Sequence, residues 1–120
     1  MAAKDELGRR GEAIAAEYLT EQGLVILARN WRCSEGELDI VATDGADTVI
    51  FCEVKTRSGI TFGTPVEAVT RAKRCRIRRL AYLWMTTIRP RGWPKMRFDI
   101  VGIVIRARAE PELTHLAGAF

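Results

Sequence analysis

Residues 36–57 read Gly-Glu-Leu-Asp-Ile-Val-Ala-Thr-Asp-Gly-Ala-Asp-Thr-Val-Ile-Phe-Cys-Glu-Val-Lys-Thr-Arg and place acids inside two stretches that otherwise look like buried strands. The first stretch, 37–42, alternates Glu37, Asp39 and Val41 against Leu38, Ile40 and Ala42. The second, 48–57, alternates Val49, Phe51, Glu53, Lys55 and Arg57 against Ile50, Cys52 and Val54. Side chains two apart on a strand share a face, so Glu37 projects with Asp39, and Glu53 with Lys55. Asp44-Gly45-Ala46-Asp47 between them has the chemistry of a hairpin turn. The expected sheet therefore brings Asp39, Glu53 and Lys55 to one place.

The trio has a chemical logic. Two carboxylates supply hard oxygen ligands, which suit Mg²⁺ (or Mn²⁺). A lysine beside them can orient or deprotonate a water, or stabilise charge on a phosphate. An exposed strand with cross-strand ion pairs would account for any one of these acids. It accounts poorly for all three residues amid Leu38, Ile40, Val49, Ile50, Phe51 and Val54, where a carboxylate resists burial unless something positive compensates it.

The totals bound the remaining possibilities. A chain of 120 residues is expected to form one domain, 1–120, with no room for a second core. No apolar run approaches the roughly 20 residues of a membrane helix, and the N-terminus has no apolar signal region. A cytoplasmic protein without a membrane partner is the expectation. Cys33, Cys52 and Cys75 form no Cys-x-x-Cys pair, and His115 is the lone histidine, which argues against structural zinc and for reduced thiols. The net charge is +4, and six of the nine residues from Arg71 to Arg79 are basic. That cluster fits a polyanion, nucleic acid being the commonest, and equally fits a solvated helix face.

Along the chain, Leu7, Gly11, Ile14, Ala15, Tyr18 and Leu19 share one face of a helix expected over 5–22, with Gly23 at its C-terminal stop. Gly8 and Gly11 toward that face suggest close approach of another backbone. Residues 24–32 read as a strand paired with the one that follows, turned by Ser34-Glu35-Gly36; Trp31 fits either the core or a cover over the site. Thr64-Pro65-Val66-Glu67 reads as a helix start, and Val66, Val69, Ile77, Leu80, Ala81 and Trp84 make a buried stripe to about 85–87. Lys73 lies nearer the stripe than Arg71, Arg74, Arg78 and Arg79 do, so it is aimed toward the sheet. Residues 89–95 form a loop whose Trp93 suits stacking on a base, or pinning to the sheet edge. Residues 97–105 are apolar enough for a central strand, and 113–116 for a short edge strand. The order αβββαβ implies an α/β domain with a mixed sheet, the 97–105 strand parallel to the Glu53 strand.

Asp39 followed by Glu53-Val54-Lys55 resembles the Asp…Glu-x-Lys signature of restriction-endonuclease-like nucleases, with Leu38 where a proline is usual. The chain more closely resembles the YraN, or UPF0102, family. The matching residues are Gly8-Arg9-Arg10-Gly11-Glu12, Tyr18-Leu19, Gly23, Asn30, Gly36-Glu37-Leu38-Asp39, 51–57, Phe62-Gly63, Lys73, Arg97-Phe98-Asp99 and Ala119-Phe120. That family is similar to archaeal Holliday-junction resolvases. The resemblance implies a restriction-endonuclease-like fold and a catalytic set of Glu12, Asp39, Glu53 and Lys55. It implies metal on Asp39, Glu53 and Glu12. Glu12 read alone would be surface; the resemblance makes it a ligand or a water-positioning group.

Two functions follow as expectations. The first is a Mg²⁺-dependent endonuclease for DNA, branched DNA included, with Arg57, Arg71, Lys73, Arg74 and Arg78 against the phosphates. Cutting two symmetric strands would further require a homodimer. The alternative is a nucleic-acid-binding module with the same fold and little or no cleavage.

Overall fold

A computed structural model describes residues 3–58 and 69–120, with α1 side chains from Glu6 onward. The elements are α1 (Ala3–Glu21), β1 (Val25–Cys33), β2 (Gly36–Thr43), β3 (Thr48–Ser58), α2 (Arg71–Ile88), β4 (Lys95–Ile105) and β5 (Glu112–Leu116). The strands lie in the order β1-β2-β3-β4-β5. All neighbours are antiparallel except β3 and β4, which run parallel from Thr48↔Lys95 to Ser58↔Ile105. The expected α/β class, element order and parallel pairing agree with this architecture.

The two helices cover opposite faces. Ala15, Ala16 and Leu19 of α1 pack with Ile40, Cys52, Val54, Val101 and Ile103. Ile77, Leu80, Ala81, Trp84 and Met85 of α2 pack with Leu38, Val41, Phe51, Phe98 and Ile100. Trp31 joins this second cluster, so it belongs to the core side. α1 ends where expected: Gly23 has a left-handed φ of 92°, and the Gly23 and Leu24 amides return to the Thr20 and Leu19 carbonyls. Of the two α1 glycines, Gly11 makes the close approach, since a Cβ there would collide with the Thr56 side chain; Gly8 faces open space.

Two expectations are corrected. The start of a helix at Thr64-Pro65, and Val66 with it, lie outside the described residues. α2 itself begins at Arg71, because Thr70 is extended and its hydroxyl accepts from the Lys73 amide at 3.2 Å, which is N-cap geometry. The other correction concerns β2. Leu38 and Ile40 pack in different clusters, on opposite faces, while Leu38 and Val41 share one. Simple alternation thus breaks at Asp39. The cause is local: Asn30 on β1 has a φ of 52°, and the register passes from Arg29↔Ile40 to Trp31↔Leu38 without pairing Asn30 and Asp39.

The far side of the sheet is tied by one buried acid. Asp99 is fully buried, and its two oxygens take the Arg97 Nε and Nη2 at 2.8 Å each. His115 Nε2 lies 2.7 Å away and the Gly118 amide donates at 3.0 Å. An ionised Asp99 only accepts, so Nε2 carries a proton, and Nδ1 on the other side of the ring hydrogen-bonds the Tyr18 hydroxyl at 3.0 Å. Arg97 is thereby engaged by a carboxylate through two hydrogen bonds. Burial pushes the Asp99 carboxyl up, but Arg97, Gly118 and His115 outweigh it and hold it below its ordinary value. Such a group adds stability above its unfolded pKa of about 3.9, and the gain is lost as pH falls through the lower folded value. Asp99→Ala leaves Arg97 without its partner and should cost about 3–5 kcal/mol in urea unfolding at pH 7. The gap between variant and wild type should narrow below about pH 4; a gap independent of pH would contradict the assignment of the charge to Asp99.

Candidate active site

The ladder between β2 and β3 runs from Thr43↔Val49 to Ile40↔Cys52 and then stops, while β3 continues along β4. From Glu53 onward β3 is therefore open on its β2 side. Asp39 fills the opening: its Oδ2 accepts from the Val54 amide at 2.8 Å, a side chain standing in for a ladder bond. In the seam Asp39 meets the charge of acids from both faces of the sheet, Glu12 on one and Glu53 on the other.

Two sets of residues meet there. On the α1 side, carboxylate oxygens of Glu12, Glu37 and Asp39 all lie within 4.8 Å of one another. The orientation of Asn30 that satisfies its amide puts the nitrogen 2.7 Å from a Glu12 oxygen and 3.1 Å from a Glu37 oxygen. Arg32 Nε pairs with the other Glu37 oxygen at 2.8 Å. On the α2 side, Glu53 is buried, with Lys73 Nζ at 2.9 Å and Lys55 Nζ at 3.5 Å from the same oxygen.

The electrostatics follow from this crowding. Burial, then the charge of Glu53, pushes the Asp39 carboxyl up to about 8, against the opposing Val54 hydrogen bond. Burial and the charge of Glu37 raise Glu12, with Arg29 and Asn30 opposing. Burial lowers Lys55, and the neighbouring Lys73 lowers it further. Burial also pulls on Lys73, but Lys55 and Glu53 outweigh it and raise its pKa. The two lysines thus differ: Lys73 is held as a cation, and Lys55 is the one prepared to give up a proton.

Sequence reasoning placed Glu12, Asp39, Glu53 and Lys55, and the structure brings these four to one seam. It also aimed Lys73 at the sheet, and Lys73 is the nearest cation to Glu53. Glu37 was seen to project with Asp39 without being taken for a ligand; the change of face at Asp39 keeps it beside Glu12. Asn30 belongs to the set that carries the family resemblance but had no role assigned from the sequence, because that role depends on a left-handed backbone opposite Asp39. Among the basic residues, Arg71, Arg76, Arg78 and Arg79 are exposed on α2. Arg78 lies over the Phe98 ring at 4.9 Å, and Arg74 lies over Phe120 at 5.7 Å while its Nε donates to the Val69 carbonyl. Arg57 is half-buried on β3.

With this geometry in view, the similarities to other chains fall into place. The pattern of the uncharacterised protein family UPF0102 matches residues 11–103. The chain belongs to the UPF0102 family. A UPF0102 protein of Frankia alni is 53% identical over 121 residues, covering 100% of this chain and 98% of its own. A UPF0102 protein of Nocardia farcinica is 50% identical over 117 residues, covering 98% and 91%. One from Acidothermus cellulolyticus is 47% identical over 127 residues, covering 98% and 96%. The matched segment contains Glu12, Asn30, Glu37, Asp39, Glu53, Lys55 and Lys73, so the UPF0102 pattern spans both sides of the seam.

The raised Asp39 carboxyl has a consequence for the metal-free protein. Folded Asp39 keeps its proton to about pH 8, whereas the unfolded chain releases it near pH 4. Between those values the native state binds more protons, so stability falls as pH rises. Asp39→Asn retains an oxygen for the Val54 amide and cannot ionise. In EDTA its Tm should gain on the wild type progressively from pH 5 to pH 9. A constant difference across that range would remove the crowding of Asp39 from the account.

Proposed function

We propose that this UPF0102 protein is a metal-dependent endonuclease on a restriction-endonuclease-like fold. The observation that carries the reading is the position of Asp39. It is a carboxylate crowded by Glu12, Glu37 and Glu53 and pushed up to about 8, in a seam that also holds Lys55. Uncompensated acids in such a place call for a cation. The donor set fits a hard divalent ion, since it consists of carboxylate oxygens with no thiolate or imidazole.

Asp39 with Glu12 and Glu37, or with Glu53, would hold Mg²⁺ or Mn²⁺. When bound, such an ion supplies Lewis-acid charge to a phosphate oxygen and lowers the pKa of water. The chain's own residues do the rest. Lys55, its pKa lowered, can take the proton of a water attacking phosphorus or donate a hydrogen bond to the phosphate. Lys73 keeps Glu53 ionised and in place. Asn30 donates to Glu12 and Glu37 and fixes their orientation. The exposed arginines of α2 supply positive charge for a nucleic-acid backbone.

The 2.9 Å pair between Lys73 and Glu53 favours a second reading. A lysine that already neutralises one acid suits a binding module with little or no cleavage. Two variants separate these readings. Asp39→Asn should abolish binding of Mg²⁺ by calorimetry together with cleavage of a four-way junction and a flap, while metal-free DNA affinity persists. Lys55→Ala should bind metal and lose cleavage by about 10²- to 10⁴-fold. A wild type that binds DNA but cuts neither substrate with Mg²⁺ or Mn²⁺ establishes the binding module.

The basic face has its own test. Each phosphate contact contributes a slope of about −0.9 to log affinity against log salt on duplex DNA. Arg71→Gln combined with Arg76→Gln should make that slope shallower by about 1.8 if both arginines meet phosphates. An unchanged slope makes this an ordinary solvated helix face.

A further inference from the structure

At the end of α2 away from Lys73, the surface carries an aromatic stack that the seam does not use. Tyr82 and Trp93 are 49% and 50% exposed, and their rings stack with centroids 5.3 Å apart and planes 29° apart. Arg79 extends the pile, its guanidinium 5.9 Å from the Tyr82 ring. Among the described residues no third ring or cation covers Trp93. Leaving two large rings half in water forgoes their burial, so an open stack of this kind is a place for a flat partner.

The surrounding charge selects that partner. Trp93 sits in the loop between α2 and β4 with Arg89 and Arg91, both exposed and neither in an ion pair among the described residues. Asp47 is paired with Lys95 at 3.3 Å, and Glu35 is paired with Arg79 at 3.2 Å. A stacked ring pair flanked by free guanidinium groups matches a base with its phosphates. It is poorly matched to an aliphatic protein surface.

The platform is set apart from the seam along both the sheet and α2. Ile100 is opposite Glu53 in the parallel ladder, and Trp93 precedes Ile100 by seven residues, of which the five from Lys95 on β4 alone span roughly 17 Å. Lys73 and Tyr82 are nine residues apart on α2, roughly 14 Å along its axis and half a turn around it. Arg76 and Arg79 occupy the helix between them. Stacked nucleotides advance about 3.4 Å each, so these spans correspond to at least four or five steps of one strand.

We propose that Tyr82 and Trp93 form a stacking platform for an unpaired base, which makes the substrate a nucleic acid with a single-stranded segment a few nucleotides from the seam. This deepens the nuclease reading and rests on it for the role of the seam. Base binding itself is independent of metal.

The test is metal-free binding of labelled oligo-deoxythymidine and of a blunt duplex of equal length, in EDTA. Trp93→Ala should weaken the single strand about 5- to 150-fold, with the duplex changed less than about twofold. Trp93→Phe, which keeps a ring, should restore most of the affinity. Tyr82→Ala probes the same stack from the helix and should lower single-strand affinity in the same sense, which keeps the test valid if the loop variant folds poorly. Equal losses on both nucleic acids, or no loss on either, overturn the platform. So does a wild type whose sedimentation mass falls on Trp93→Ala without nucleic acid, since the stack would then be a contact with a second copy. A protein that binds single strands through Trp93 yet takes up no Mg²⁺ keeps the platform and loses the nuclease. One that cuts DNA while Trp93→Ala binds single strands normally keeps the nuclease and loses the platform.

Discussion

The hydrogen bond from the Val54 amide to the Asp39 carboxylate stands where a backbone ladder between β2 and β3 would otherwise continue. Everything distinctive about the seam depends on that substitution. A regular pair of strands would have no room for a side chain between them. With the ladder interrupted, a carboxylate takes the role of a carbonyl, and Glu12, Glu37 and Glu53 can approach it. The cost is an acid held well away from its ordinary protonation, which Lys55 and Lys73 offset from only one side.

The two helices divide the work around this seam. α1 packs close to the sheet because Gly11 leaves room for Thr56, and that approach is what lets Glu12 reach the acids. α2 delivers Lys73 one turn after its Thr70 cap and turns four arginines outward. The C-terminal residues close the arrangement. Phe120 stacks on Phe98, Ala119 donates to the Phe98 carbonyl at 2.7 Å, and Gly118 donates to Asp99. Aromatic and buried-acid contacts thereby tie the end of the chain and β5 to β4.

Much of the architecture was legible in the sequence. The acids of 36–57 sit in a pattern that alternates cleanly on β3, and Gly23 stops α1 for a reason visible in the residue type alone. Helix periodicity identified four of the residues that bury α2, Ile77, Leu80, Ala81 and Trp84, and the buried Val69 just before it, with Val66 outside the described residues. The parallel pairing of β3 and β4 followed from the length of the crossover. These are local properties, or consequences of chain connectivity, and neither requires distant contacts.

Other features were decided only in three dimensions. The break in β2 needs Asn30 in a left-handed conformation on a neighbouring strand, which no pattern within β2 encodes. The occupation of Arg97 by Asp99, and of Arg74 and Arg78 by aromatic rings, depends on where the last residues of the chain return to the sheet. The sequence by itself determined which residues could carry charge into an apolar setting and which elements would hold them. Tertiary structure decided which of those charges face one another, because the energy of an ion pair or a crowded carboxylate depends on distance and burial, and both are set by packing between segments far apart in the chain.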